Sequence, residues 1–199
     1  MSTAMGVFKF KRFDVVNERS AMKVNTDGVL LGAVITIRPD DCRLLDIGTG
    51  TGTIALMAAQ RLASYVEKSS EEYFHKCGDV QISAIDIDEP SASEATQNFA
   101  NSPWAKSLKA YNLSLDQYAE SLSEDAVFDL IFSNPPYFED SLTTPDQRKS
   151  TARHTSDGLS YRDILDFAAE RLSENGRVAF VLPSDQETQL CRYARMSGL

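Results

Sequence analysis

Apolar and polar positions alternate along this chain in a way that predicts strands separated by helices. Five short apolar runs, bounded by turn residues, have the length and composition of buried strands. Helical patterns lie between most of these runs, which is typical of a mostly parallel central sheet with helices on both faces. We therefore predict an α/β fold. The predicted strands are RLLDIG (43–48), DVQISAID (79–86), SLKAYNL (107–113), FDLIFSN (128–134) and GRVAFVLP (176–183).

Several predicted helices carry recognisable start and stop residues. Pro90 and Ser91 mark the start of the helix after the second strand, and Gly176 is well placed to end the helix that begins at Ser160. Two polar stretches interrupt the pattern. We expect residues 64–78 to be an insertion, and residues 138–158 to be a long loop of a length that is usually functional or disordered.

The N-terminal segment has a pattern of its own. FKFKRF alternates aromatic with basic residues, which places Phe8, Phe10 and Phe13 on one face of a short predicted strand. MKVNTDGVLLGAV (22–34) then leads into a helix, for which Thr26 or Asp27 is the expected N-cap.

Length and composition set broad limits. The 199 residues suit a single domain, 1–199, with an N-terminal segment (1–42) before the core (43–199). No apolar run approaches the roughly 18 residues of a membrane span, and the N-terminus does not resemble a secretory signal. Three widely spaced cysteines and two histidines suggest neither a disulfide framework nor a metal site, so we expect a cytoplasmic protein without a metal or membrane partner.

Charge is unevenly distributed along the chain. The net charge of −9 argues against a protein that coats nucleic acid non-specifically. Up to Arg61, however, eight basic residues outnumber six acidic ones. A local basic patch can bind phosphates even on an acidic protein, so net charge does not exclude a nucleic-acid substrate.

The sequence LLDIGTGTG places a glycine-rich turn where the first core strand becomes a helix. Asp46 ends the apolar run, and Gly48, Gly50 and Gly52 permit a tight turn and let the backbone approach a bound ligand. The G-x-G-x-G spacing differs from the G-x-G-x-x-G pattern of dinucleotide sites. This turn is the first candidate binding element.

A second candidate is the acid at the end of the next strand. Asp86 lies 34 residues after Gly52, and a carboxylate there can accept hydrogen bonds from both hydroxyls of a ribose. Asp88 is a competitor, although a helix cap or a solvent-facing position suits it better. We favour Asp86.

The fourth strand ends abruptly in NPPY (134–137). Neither Pro135 nor Pro136 carries an N–H, so the sheet ladder stops at a stiff corner on the ligand-binding edge. The Asn134 side-chain carbonyl and the Pro135 backbone carbonyl can accept hydrogen bonds from a planar NH2 group, and Tyr137 offers a face on which a base or an amide can stack. We interpret these four residues as the catalytic corner.

LLDIGTGTG, AIDID and SNPPY together resemble a class I S-adenosylmethionine-dependent methyltransferase. The resemblance implies a Rossmann-like fold with S-adenosylmethionine as the cofactor. It also implies that the acid after the second strand holds the ribose, that Ile87 packs on the adenine, and that Asn112 or Ser114 meets the adenine amine. The glycine-turn residues expected to hold the methionine part are Asp46, Gly48, Thr49, Gly50 and Gly52, and Asn134 is expected to contact the cofactor as well.

The N-terminal pattern, NPPY and ARHTSDGLSYRDIL (152–165) together resemble the bacterial tRNA adenine-N6 methyltransferases that modify position 37 of a valine tRNA. In that family TDG lies close to the cofactor, which implies a binding role for Thr26 and Asp27. The family's sheet finishes in an antiparallel strand pair, which we expect this chain to lack because it stops at Leu199.

The implied partner is tRNA, and we expect a monomer. Basic residues in the N-terminal segment and the long loop are expected to meet phosphates: Lys9, Lys11, Arg12, Arg148, Lys149 and Arg153. For His154 we favour a role in anchoring the loop. Other substrates, such as a different RNA, DNA or a protein glutamine amide, and a non-catalytic cofactor-binding module remain alternatives.

Overall fold

The computed structural model describes residues 6–68, 80–135 and 159–199. Its elements alternate in the order that the apolar runs predict. The strands are β1 (Val7–Lys9), β2 (Asp14–Val16), β3 (Arg43–Ile47), β4 (Gln81–Asp86), β5 (Leu108–Asn112), β6 (Phe128–Ser133) and β7 (Leu172–Phe180). The helices are α1 (Thr26–Val34), α2 (Thr53–Lys68), α3 (Glu89–Ala100), α4 (Leu115–Ser121), α5 (Tyr161–Arg171) and α6 (Glu187–Met196).

Five strands form one parallel sheet in the order β5-β4-β3-β6-β7. The chain builds the sheet outward from β3 to β5 and then returns to the other side of β3 with β6 and β7. The order therefore reverses between β3 and β6, where the carboxyl ends of the two strands leave a crevice that suits a ligand. Ile47 and Ser133 are paired at this point.

Apolar side chains cover both faces of the sheet. On β3, Leu44 packs into one core cluster with α2 residues, whereas Leu45 packs into the other with Ile164 and Phe167 of α5. Successive residues of a strand point to opposite faces, so a strand buried on both sides reads as a continuous apolar run. The prediction of a mostly parallel sheet with helices on both faces is confirmed.

Two details in the second half of the chain correct the sequence-based prediction. The helix that begins after Ser160 ends at Arg171, and Gly176 lies within β7 instead of ending the helix. A Cβ at Gly176 would come within 2.8 Å of the Phe128 carbonyl oxygen, so close approach to β6 explains the glycine. Helix α4 was not predicted; it begins with a capping box formed by Ser114 and Gln117.

The N-terminal segment also differs from its prediction. The aromatic and basic residues form a hairpin of β1 and β2, with Phe10 and Phe13 stacked at 4.5 Å in the turn between them. The N-cap of α1 is Asn25, whose side chain accepts a hydrogen bond from the Gly28 N–H, and not Thr26 or Asp27. Helix α2 continues to Lys68, into the stretch expected to be an insertion.

Cys42 is disulfide-bonded, which the sparse cysteines did not predict, whereas Cys191 is free and exposed. Within the described ranges, no helix is long and apolar enough to cross a membrane. The same part of the chain contains no group of three or more histidine, cysteine, aspartate or glutamate residues suited to a metal ion.

Candidate functional site

The glycine turn connects the end of β3 to the start of α2 at the centre of the sheet. Gly48, Gly50 and Gly52 all adopt positive φ angles, of 70°, 56° and 80°. Residues with a Cβ rarely adopt this conformation, so the backbone geometry itself requires glycines here. The N–H groups of Gly48 and Thr49 both donate to the Ile85 carbonyl, at 2.9 and 3.0 Å, which ties the turn to β4.

The glycines differ in what surrounds them. A Cβ at Gly52 would lie 2.5 Å from Cε1 of Phe99, so this glycine allows α3 to pack against the turn. A Cβ at Gly48 would meet no atom of the described residues within 4 Å. Gly48 therefore faces open space at the switch point, which is where a ligand could approach the backbone.

Asp46 lies directly beneath the turn and is fully buried. One carboxylate oxygen, Oδ2, accepts a hydrogen bond from the Thr49 hydroxyl at 2.7 Å, whereas Oδ1 has no hydrogen-bond partner among the described residues. Burial raises the pKa of Asp46 from 3.8 to about 7, and hydrogen bonds from Thr49 and the Ala55 backbone only partly offset the effect. A buried carboxylate with a vacant acceptor favours a donor supplied by a ligand.

Asp86 is the last residue of β4 and contacts the glycine turn from that neighbouring strand. Its Oδ2 accepts from the Gly50 N–H at 2.8 Å and its Oδ1 accepts from the Asp88 N–H at 2.9 Å. Burial raises the pKa of Asp86, and these two backbone hydrogen bonds oppose the shift. Asp88 instead caps α3 through the Ser91 N–H, as expected of the less favoured acid. Asp86 thus lies closer to the glycine turn than its competitor.

The loop after Asp86 presents an apolar side chain to solvent. Ile87 is 75% exposed, which is unusual for an isoleucine beside a buried strand. The Asn112 side-chain NH2 donates to the carbonyls of Asp86 and Ile87, at 3.0 Å each, and so fixes this loop. Ser114, the alternative to Asn112, caps α4 through its hydroxyl. The geometry gives Asn112 a direct connection to the site and Ser114 a role in the helix.

The corner after β6 lies beside the end of β3. The Ser133 hydroxyl donates to the Ile47 carbonyl at 2.7 Å, which joins the two strand ends. Asn134 follows and is buried, with its side-chain nitrogen 3.9 Å from the Met22 sulfur. Asn134 and Pro135 are the described part of the predicted catalytic corner; Pro136 and Tyr137 lie outside the described residues.

A strap formed by residues 17–25 covers the glycine turn from the N-terminal side. Met22, Lys23, Val24 and Asn25 of this strap face the turn across a cleft, together with Gly28 and Val29 of α1. The cleft contains about 340 Å³ of empty space, part of it open to solvent. The residues on its other side are Gly48, Thr49, Gly50, Thr51, Thr53, Ile54 and Asn134.

The structure brings some predicted residues together and leaves others apart. Thr26 and Asp27 are exposed on the first turn of α1, next to the cleft but not among the described residues that line it. Their cofactor role stays a prediction. Met22 lines the cleft but was not predicted as a site residue; the only sequence signal for it was its place at the start of the stretch MKVNTDG.

The basic residues predicted to meet RNA are only partly described. Lys9 is exposed but forms an ion pair with Asp14 at 3.0 Å. Lys11 and Arg12 are exposed at the tip of the hairpin. Arg148, Lys149 and Arg153 lie outside the described residues, as does His154. The RNA contacts therefore stay predictions.

Comparison with known families and proteins gives a consistent result. Residues 36–197 match the family described as RMKL-like, methyltransferase domain. A tRNA1(Val) (adenine(37)-N6)-methyltransferase from Parabacteroides distasonis is 43% identical over 193 residues, which cover 96% of this chain and 73% of the relative. The protein of the same name from Bacteroides thetaiotaomicron is also 43% identical, over 89% of this chain and 67% of the relative.

Solved structures support the fold at lower sequence identity. A SAM-dependent methyltransferase from Agrobacterium tumefaciens superimposes with a TM-score of 0.61 at 12% identity, over 98% of this chain and 59% of the other. Precorrin-6y C5,15-methyltransferase from Geobacter metallireducens gives 0.59 at 12% identity, over 92% and 76%. The fold is that of a class I methyltransferase.

Proposed function

This chain belongs to the tRNA1(Val) (adenine(37)-N6)-methyltransferase family, and on that premise we propose that it methylates the exocyclic N6 of adenine 37 in a valine tRNA. The cofactor is S-adenosylmethionine. The single observation that carries the proposal is the position of Asn134, buried at the end of β6 in the same cleft as the glycine turn.

The residues around the glycine turn fit this cofactor. Gly48 leaves open space over the backbone, and Asp46 has a buried oxygen able to accept a hydrogen bond from an ammonium or amine group. Each oxygen of Asp86 accepts one backbone hydrogen bond, which leaves a further lone pair for a ribose hydroxyl. Ile87 offers an exposed apolar surface for the adenine ring.

When bound, S-adenosylmethionine supplies an electrophilic methyl group on a sulfonium. The exocyclic amine of adenine is a poor nucleophile because its lone pair is delocalised into the ring. Acceptors around its two hydrogens favour the pyramidal geometry in which the lone pair is available. We assign this function to the Asn134 side-chain carbonyl and the Pro135 backbone carbonyl, which act by orientation and electrostatics. Pro136 would stiffen the corner, and Tyr137 would stack on the base.

The tRNA itself would meet the protein through basic side chains. Lys11 and Arg12 are exposed on the hairpin, and the long loop supplies Arg148, Lys149 and Arg153 in sequence. A flipped base from a single-stranded loop costs little unpairing energy, which suits an adenine beside an anticodon. With tRNA as its substrate, the protein would act in the cytoplasm, and we propose that it does so as a monomer.

The experiment is nucleoside analysis of tRNA after incubation with the protein and S-adenosylmethionine. A valine tRNA transcript is compared with a transcript in which adenine 37 is replaced by guanine. We expect new N6-methyladenosine in the first and none in the second. N6-methyladenosine in both transcripts would show that an adenine other than adenine 37 is modified. Methylation of a glutamine-containing peptide and not of either RNA would replace the proposed substrate with a protein amide.

A further inference from the structure

Helix α3 carries an acid that the proposed chemistry does not use. Glu94 is fully buried, at 0% exposure. Its Oε1 accepts the backbone N–H groups of Glu18 and Arg19, at 2.8 Å each, and its Oε2 accepts that of Ser20 at 3.0 Å. Three successive amides of the strap therefore converge on one carboxylate. Hydrogen bonds to a charged acceptor are stronger than neutral ones, particularly when water is excluded.

Asn98, one turn further along α3, holds the start of the same segment. Its Oδ1 accepts from the Val16 N–H at 2.8 Å, while its NH2 group donates to the Val16 carbonyl at 2.9 Å and to the Thr51 carbonyl at 2.8 Å. Asn98 thus replaces a strand partner for Val16 and connects it to the glycine turn. Two buried side chains of α3, Asn98 and Glu94, therefore hold Val16 and residues 18–20 in turn.

The attachment continues into the cleft through Ser20. The Ser20 hydroxyl lies 2.8 Å from the Ser91 hydroxyl and donates to the Met22 carbonyl at 3.0 Å. Met22 in turn places its sulfur 3.9 Å from the Asn134 nitrogen. A continuous path of contacts therefore leads from Glu94 to the cleft wall and to the predicted catalytic asparagine.

We propose that Glu94 is a positioning residue that holds the strap against the glycine turn and so sets the affinity for S-adenosylmethionine. Glu94 does not line the cleft itself; it acts through Ser20 and Met22. The inference rests on the assigned cofactor but not on the identity of the methyl acceptor. The interaction with the strap requires a carboxylate, because two acceptor oxygens serve three N–H donors. A glutamine would present its NH2 group to at least one of those donors.

The test compares Glu94→Gln with Glu170→Gln. Glu170 is an exposed residue of α5, so its substitution makes the same charge change without affecting a buried contact. We expect Glu94→Gln to raise the calorimetric Kd and the KM for S-adenosylmethionine by about tenfold or more, because a buried N–H loses its acceptor. The kcat at saturating cofactor should fall much less. Glu170→Gln should behave as the unmodified protein does. Unchanged Kd and KM in a folded Glu94→Gln protein would overturn the proposal.

A second measurement does not depend on whether the variant folds. Hydrogen exchange of the unmodified protein should show the amides of Glu18, Arg19 and Ser20 protected, and further protected when S-adenosylhomocysteine is added. Exchange of these amides that is fast and insensitive to the ligand would contradict the proposal. Cofactor binding without methylation of tRNA would contradict the proposed substrate but not the proposed role of Glu94.

Discussion

The two walls of the cleft are held by different kinds of interaction. The glycine turn is held by its neighbours in the sheet, through backbone hydrogen bonds to Ile85 and one from Gly50 to Asp86. The strap, residues 17–25, and Val16 just before it are held by side chains of α3 that lie 71 to 82 residues away along the chain. One wall depends mainly on glycine backbone conformation and its hydrogen bonds to the next strand, and the other depends mainly on a few buried side chains of α3.

This difference predicts that the two walls respond to different kinds of substitution. A wall made of backbone and glycine fails when a Cβ is added, because the conformation and the packing both exclude one. A wall held by buried side chains fails when a single acceptor or donor is removed, because its partners are then left unsatisfied. Asn134 lies where the two walls meet, beside Ile47 through Ser133 and against Met22 of the strap.

The largest effect is expected at the meeting point of the walls. Asn134→Ala removes the proposed acceptor for the adenine amine, so we expect kcat to fall by about 100-fold or more. The Kd for S-adenosylmethionine should change by less than about threefold, a small free-energy difference. Single-turnover methylation and calorimetry on the same preparation separate the two. A variant with wild-type turnover would exclude the role assigned to Asn134.

Two alanine substitutions in the turn should separate stability from binding. Gly52→Ala places a Cβ 2.5 Å from Phe99 at a positive φ, so we expect a loss of about 2–4 kcal/mol in unfolding free energy. Gly48→Ala meets open space at a similar φ, so only the conformational cost of about 1–2 kcal/mol applies.

Cofactor binding should show the opposite order among molecules that remain folded. The Gly48 methyl group would occupy the open space over the turn, so this variant should bind S-adenosylmethionine more weakly than Gly52→Ala does. Urea denaturation and calorimetry measure the two quantities. Equal losses of stability, or tighter binding by Gly48→Ala, would contradict the assignment of that space to a ligand.

Asp46 should make stability depend on pH. Because its folded-state pKa of about 7 lies above the ordinary 3.8, the folded protein holds the proton more tightly than the unfolded chain does. Stability without cofactor should therefore fall as the pH rises from about 4 to about 7 and stay low above that range, by an amount on the order of 4 kcal/mol.

Asp46→Asn removes this contribution while keeping an acceptor for the Thr49 hydroxyl. The decline in unfolding free energy between about pH 4 and pH 7 should shrink relative to the unmodified protein. Asp125→Asn, at an exposed position, serves as the control and should keep the full decline. The same pH dependence in Asp46→Asn and in the unmodified protein would show that Asp46 is not the group responsible.

The smallest effect is expected at Asn112, which fixes the loop of Asp86 and Ile87 from the surface. Asn112→Ala removes two exposed hydrogen bonds, so we expect the Kd for S-adenosylmethionine to rise by only about fivefold. Ser114→Ala is the comparison, since its hydroxyl caps α4 and should affect helix stability and not binding. A larger binding loss from Ser114→Ala would reverse the choice between these residues.

The same contrast explains what the sequence could predict. The glycine turn, Asp86 and the corner at Asn134 were predictable because each follows a strand directly, and the carboxyl ends of neighbouring parallel strands meet at one edge. The cap at Asp88 was predictable from local sequence, because an aspartate directly precedes the helix start marked by Pro90 and Ser91.

The strap could not be predicted, because its interactions join residues that no local pattern connects. Glu94 and Asn98 look like ordinary polar positions of an amphipathic helix until the fold buries them against residues 16–20. The predictions of a single N-terminal strand and of a helix end at Gly176 were wrong for a related reason. The strands of the hairpin are only three residues long each, and Gly176 is required by contact with β6 and not by a helix terminus.

The most direct test of the two-walled cleft is hydrogen exchange across the whole chain with and without S-adenosylhomocysteine. We expect slower exchange in two separate segments, one in the turn at residues 48–53 and one in the strap at residues 18–25. Exposed amides of α6, away from the cleft, should not change. Slowing in the turn alone would contradict the account, since the strap would then not be a wall of the binding site.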